Sequence, residues 1–249
     1  MNRRAFLLSA AALTGATALG GVATLRLHLS PRTDPFLTPE HLAQIAATDL
    51  PRPRVLFVGN SMVLRHDVPA RLAGIARAEG HQIAVATAAA NGARLIETLR
   101  IAELRLVLKP DYWDAVILQD FTETPLRAPD RWGSAIAMTR IARQVAPAPI
   151  LLYPPWPGDH GHPIYKNAGR LKAQPENPFD YAARTMAHYT RVSRKNGFDI
   201  APVPQRWLEA TAKGKSLYDK DRHHANAHGA ALVAQILWES LKPLLNPSS

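Results

Sequence analysis

The chain has 249 residues, 47% of them hydrophobic, no cysteine and a formal net charge of +10. The lack of cysteine excludes disulfides and thiolate metal sites, so stability in an oxidising compartment has to come from packing. The charge raises a nucleic-acid role, but arginines outnumber lysines 22 to 8 and are scattered, with no basic run interleaved with aromatics. No nucleic-acid partner is expected; nonspecific attraction to an anionic envelope polymer is compatible with the charge.

Residues 1–27 open with Arg3-Arg4, continue through Phe6-Leu7 and run uncharged to Ala23. A basic start, a modest apolar stretch and small residues are the layout of a twin-arginine (Tat) export signal. Ala16-Thr17-Ala18 and Gly21-Val22-Ala23 are both suitable cleavage ends. Export to the periplasm or the exterior by the Tat machinery is expected, with no stable membrane span after cleavage; an uncleaved anchor is the alternative. The remainder suits one core. It divides into a lead-in over 28–53, with a short helix begun at Thr38-Pro39-Glu40, and a domain over 54–249.

That domain alternates. Strands are predicted at 54–58, 81–87, 114–119, 148–153 and 198–203, and helices at 67–79, 93–108, 129–145, 178–196, 204–212 and 226–245. The alternation implies an α/β fold: a three-layer, doubly wound parallel sheet of about five strands, helices on both faces, with the site at the strand C-termini.

Two constellations carry the chemistry. Gly59-Asn60-Ser61 follows the apolar strand directly, which puts a hydroxyl at the rim of the sheet, where a following helix can offer N–H groups to an anion. Ser61 as a plain helix cap is the competing reading. Near the other end, Asp221-x-x-His224 lets a carboxylate orient an imidazole while the other ring nitrogen takes a proton from a hydroxyl. His223 and Asp219 are rivals for the two roles, and Asn226 is read as the cap of the last helix.

Gly59-Asn60-Ser61 together with Asp221-x-x-His224 resembles the SGNH (GDSL-like) hydrolases, over roughly 54–245. Asn60 stands where the signature usually has Asp. The resemblance implies a flavodoxin-like SGNH hydrolase fold, spacing that selects His224 and Asp221 as base and acid partner, and Ser61 as nucleophile. It also implies an oxyanion hole from the N–H groups of Ser61 and Gly92, the latter in Ala90-Asn91-Gly92. Gln119 in Leu118-Gln119-Asp120 takes the place of the family's third donor, an Asn; Asp120 is read as support for that loop. The implied activity is hydrolysis of an ester, such as an O-acetyl group on a carbohydrate, without cofactor or metal. A degenerate binding or scaffold protein of the cell envelope is the alternative.

The stretch 153–177 is long and irregular, as functional or mobile loops are. Tyr153, Trp156 and Tyr165 are candidates for a wall against a sugar or acyl group; Trp156 as a cap over the core is the alternative. Asp159-His160-Gly161-His162 admits a metal reading, against which a solvated loop is preferred.

Overall fold

The computed structural model describes residues 37–126, 133–166 and 174–245; the expected export signal lies outside the described residues. Strand β1 (Arg54–Gly59) pairs in parallel with β2 (Ala84–Ala89) on one side and β3 (Ala115–Leu118) on the other. Beyond β3 come β4 (Ile150–Leu152) and β5 (Asp199–Ile200), which gives the order 2-1-3-4-5. The helices in chain order are α1 (Pro39–Ala47), α2 (Ser61–Leu64), α3 (Val68–Ala78), α4 (Leu95–Thr98), α5 (Leu104–Val107) and α6 (Ser134–Val145). They are followed by α7 (Pro178–Asn196), α8 (Val203–Ala212) and α9 (Ala227–Leu245).

Successive side chains of a strand point to opposite faces, so a strand covered on both sides has to be apolar throughout. In β1, Val55 and Phe57 enter one core and Leu56 and Val58 the other; in β3, Ala115 and Ile117 oppose Val116 and Leu118 in the same way. The first core is roofed by α2, α3, α8 and α9, the second by α1, α4, α5, α6 and α7. The predicted three-layer doubly wound sheet is thus the observed one. Its order reverses between β1 and β3, where a crevice opens at the strand C-termini.

Two predicted elements differ. The helix expected over 93–108 is two single turns, α4 and α5, joined by i→i−3 bonds such as Ile101 N to Thr98 O at 3.1 Å. At about 100° per residue, Leu95 and Leu104 would lie on opposite sides of one straight helix, yet both are buried in the second core. Breaking the helix lets both face inward. The strand expected over 198–203 keeps two paired residues, because after Ala201 the Val203 N–H turns back to the Ala201 carbonyl and Pro202 has no N–H to give.

Gly59 closes β1 where nothing larger fits. A Cβ there would stand 2.7 Å from Val63 Cγ2 and 2.9 Å from Gln119 Oε1. Gly59→Ala should therefore overpack the strand end by about 1–3 kcal/mol. The thermal midpoint should fall by roughly 2–4 °C per kcal/mol in a domain of this size. A melting curve superimposable on wild type would mean that the contact relaxes freely.

Candidate active site

The crevice receives Ser61 from β1. Asn60 has extended backbone, and its Oδ1 accepts from Met62 N at 3.1 Å, so Asn60 rather than Ser61 caps α2. The hydroxyl is left for a partner 163 residues away: Ser61 Oγ lies 2.9 Å from His224 Nε2.

The imidazole is aimed by the turn over 219–224. Asp219 N donates to His224 O at 2.8 Å, Arg222 N to Asp219 O at 3.0 Å, and Arg222 takes a φ of +60° to close it. Inside, Asp221 Oδ1 accepts the N–H groups of His223 at 3.0 Å and His224 at 2.9 Å, while Oδ2 lies 2.6 Å from His224 Nδ1. Partial burial pushes the Asp221 carboxyl up, but the bonds from His224 and the two backbone N–H groups outweigh it and hold the group well below the usual carboxylate range. The carboxylate thus stays ionised, as a group that steadies an imidazolium must. Of the rivals, Asp219 uses its Oδ1 on Lys220 N, and the imidazole that meets Ser61 is that of His224, not His223. The His223 ring stacks on His162 with centroids 4.8 Å apart and meets His224 edge-on at 4.9 Å. Asn226 caps α9 as expected, accepting from His228 N and Gly229 N.

Gly92 stands across the crevice with a φ of +69°, a left-handed conformation that glycine alone adopts without strain. The N–H groups of Ser61 and Gly92 have no hydrogen-bond partner among the described residues. Ser61, Gly92 and His224 share a cavity of about 620 Å³ with Leu64, Arg65, Asn91, Phe121 and His223.

Three expectations are corrected. Gln119 is fully buried beneath the cavity rather than beside it: its Oε1 accepts Asn60 N at 3.0 Å and its Nε2 donates to the Asp120 carbonyl. The side chain is one methylene longer than Asn, and it bends back to tie β3 to β1. Tyr153 and Trp156 are also core residues, 0% and 1% exposed, and form no wall for a ligand. Trp156 stacks on Trp207 at 4.6 Å and 10° and donates Nε1 to His223 O at 2.9 Å, while Tyr153 donates its hydroxyl to Met62 O at 3.1 Å. Both follow a buried strand and find their polar partners inside. Asp120 is a structural support as expected, its Oδ1 accepting Leu95 N at 2.9 Å and Phe121 N at 2.7 Å.

The loop that carries His160 and His162 braces the turn. Asp159 N donates to Arg222 O at 2.9 Å, Tyr218 to Pro157 O at 3.0 Å, and His162 Nδ1 accepts Ile164 N at 3.2 Å. Among the described residues no group of three or more His, Asp or Glu side chains could hold a metal ion. Sequence reasoning passed over Arg65, Asn91 and Phe121. Asn91 adjoins Gly92 in the motif already singled out; Arg65 lies four residues past Ser61, one turn along a helix, and that spacing was the available signal.

No protein-family model matches the chain, and no curated protein is significantly similar to it. Solved structures are similar. A protein assigned to the SGNH hydrolases from Slackia heliotrinireducens is 25% identical over 76% of this chain and 98% of its own, with a TM-score of 0.59. A psychrotrophic esterase from Pseudoalteromonas sp. is 18% identical over 78% of this chain and 99% of its own, TM-score 0.56. A Geobacillus acetyl-xylooligosaccharide esterase is 14% identical over 76% of this chain and 94% of its own, TM-score 0.55. The chain has the SGNH hydrolase fold.

The histidine stack makes the turn sensitive to acid. Burial first, then the charges of His162 and His224, pushes His223 down to about 3, and burial likewise lowers His162. Unfolded, each histidine binds a proton near pH 6.5, so below that pH the unfolded state holds more protons and stability falls with the pH. The thermal midpoint should drop between pH 7 and pH 5, and His223→Gln should lessen the drop. Parallel slopes for wild type and variant would remove His223 from this account.

Proposed function

We propose that this protein is an exported serine esterase working through a Ser61–His224–Asp221 acyl-enzyme mechanism. The observation that carries the reading is the continuous chain of contacts from Ser61 Oγ to His224 Nε2 at 2.9 Å and from His224 Nδ1 to Asp221 Oδ2 at 2.6 Å. An imidazole bonded to a carboxylate on one nitrogen and a hydroxyl on the other is poised to take the hydroxyl proton.

In the first half-reaction His224 accepts the Ser61 proton as Oγ adds to the ester carbonyl. The resulting oxyanion is met by the N–H groups of Ser61 and Gly92, both unpartnered among the described residues and both lining the cavity. The imidazolium, steadied by ionised Asp221, protonates the leaving alcohol; water then repeats the sequence on the acyl-enzyme. The hole has two backbone donors in this reading, since the Gln119 amide is committed to the Asp120 carbonyl. That commitment favours the second reading, a binding or scaffold protein of the cell envelope that keeps the fold without efficient turnover.

A small acyl group on a carbohydrate suits the cavity, where Leu64 and Phe121 are the aliphatic and aromatic hydrocarbon side chains of the lining. The similarity to an acetyl-xylooligosaccharide esterase adds support at the level of fold. Export rests on the Arg3-Arg4 pair and the uncharged run behind it. No helix among the described residues is long and apolar enough to cross a membrane.

Wild type should hydrolyse a short-chain aryl ester and be labelled by a fluorophosphonate, and Ser61→Ala should lose both. Hydrolysis by Ser61→Ala at the wild-type rate sinks the nucleophile assignment; wild type that takes no label supports the scaffold reading. Asp221→Asn should keep the fold but lower kcat by about 10²–10⁴, because the imidazole loses its orienting charge. An unchanged kcat would remove Asp221 from the mechanism.

A further inference from the structure

Arg65 supplies the cavity with a cation that acyl transfer does not require. Its side chain is 44% exposed and lines the cavity beside Ser61, Leu64 and His224, and no carboxylate lies on that lining. Its backbone N–H closes α2 on Ser61 O at 2.9 Å, so the nucleophile and the guanidinium sit on the same turn of chain.

The guanidinium is only loosely held. Nη1 is shared between Asp219 Oδ2 at 3.6 Å and Asp221 Oδ2 at 3.5 Å. Committed arginine–carboxylate pairs in this protein are shorter, as in Arg184–Asp180 at 2.8 Å and Arg206–Glu239 at 3.0 Å. Charge-assisted bonds fall near 2.7–2.9 Å, and a guanidinium has five donors in a planar fork suited to an oxoanion. Among the described residues the remaining donors of Arg65 have no partner. A loosely paired arginine at the mouth of a carboxylate-free cavity is free to receive an anion.

Position selects the part of the substrate. Arg65 reaches Asp221 Oδ2, the same oxygen that holds His224 Nδ1, so it stands on the imidazole side of Ser61. The leaving alcohol departs on that side, because His224 protonates it.

We propose that Arg65 is a specificity-determining residue that binds an anionic group on the alcohol part of the ester, so that the substrate is an acyl ester of an acidic sugar. This rests on the esterase reading and narrows its substrate class. Arg65 also neighbours Asp221, and a change there alters the imidazole for every substrate alike; only an effect that depends on substrate charge reports recognition.

The test compares an O-acetylated methyl glucuronoside with its uronate methyl ester, which is nearly the same size but neutral. Wild type should release acetate from the uronate with the higher kcat/KM, carried by a lower KM that rises with salt. In Arg65→Ala the uronate-to-ester ratio of kcat/KM should fall about tenfold, as expected for loss of a half-exposed charged hydrogen bond, and Arg65→Lys should restore part of it. A sugar phosphate monoester in place of the uronate distinguishes carboxylate from phosphate as the preferred anion; either preference, if lost in Arg65→Ala, supports the proposal. A ratio near one in wild type, or one unmoved by Arg65→Ala, overturns it, as does hydrolysis of a short-chain aryl ester with neither sugar accepted. If wild type hydrolyses no ester and takes no fluorophosphonate, the esterase reading itself fails and this inference falls with it.

Discussion

One carboxylate organises the site. Asp221 gathers three N–H groups on its two oxygens, and in doing so fixes both the fold of the 219–224 turn and the direction of the His224 ring. The imidazole cannot rotate away without breaking the bond that orients it, and the carboxylate cannot be protonated at ordinary pH because those bonds favour its charge. Everything else near the turn holds this arrangement against β1. Helix α9 lies along α3, and Gly229 lets its first turn close on the 217 loop and Trp207: a Cβ there would stand 2.3 Å from the Leu217 carbonyl. The loop after β4 adds Trp156 and Asp159, which bond to the carbonyls of His223 and Arg222.

A second layer lies beneath the cavity. Asn60, Gln119 and Asp120 are buried polar residues at the point where the strand order reverses, and their bonds link the ends of β1 and β3 to the loop and helix that follow β2. Gln119 receives Asn60 N, Asp120 receives Leu95 N, and Asn60 Nδ2 donates to Ala93 O at 3.1 Å. The last bond accounts for an amide at position 60: a carboxylate could cap α2 equally well but would have no proton for the Ala93 carbonyl. By this bond the loop that carries Gly92 is tied to the turn that carries Ser61. The two oxyanion donors of the proposed mechanism are therefore held in register by a residue that never meets the substrate.

Loop 153–166 shows how an irregular segment can be structural. Its length and aromatic content invite a ligand-binding reading, yet Tyr153 and Trp156 complete the first core with Trp207 and Tyr218. What the segment contributes to function is indirect, as a brace behind the histidine turn. Of the side chains that line the cavity with Ser61 and His224, those of Arg65, Asn91 and Phe121 come from short connections just past β1, β2 and β3.

Much of the molecule was legible in one dimension because its determinants are local. Apolar runs fix the strands, of which β1, β3 and β4 are buried on both faces, and their alternation with helical segments fixes the parallel sheet, since only crossovers connect parallel neighbours. A glycine at a strand end followed by Asn-Ser, and an Asp three residues before a His, each describe a turn whose geometry is set within four residues. Residue type at such places constrains backbone conformation directly. What the linear pattern left open were the partners of long polar and aromatic side chains. Gln119 finds its hydrogen bonds on Asn60 and the neighbouring backbone, Trp156 its stacking partner on Trp207, and Arg65 its opening onto the cavity, all through packing between segments far apart in the chain. A side chain of several rotatable bonds can satisfy the same local pattern in many directions, and only the assembled neighbours leave one of them open.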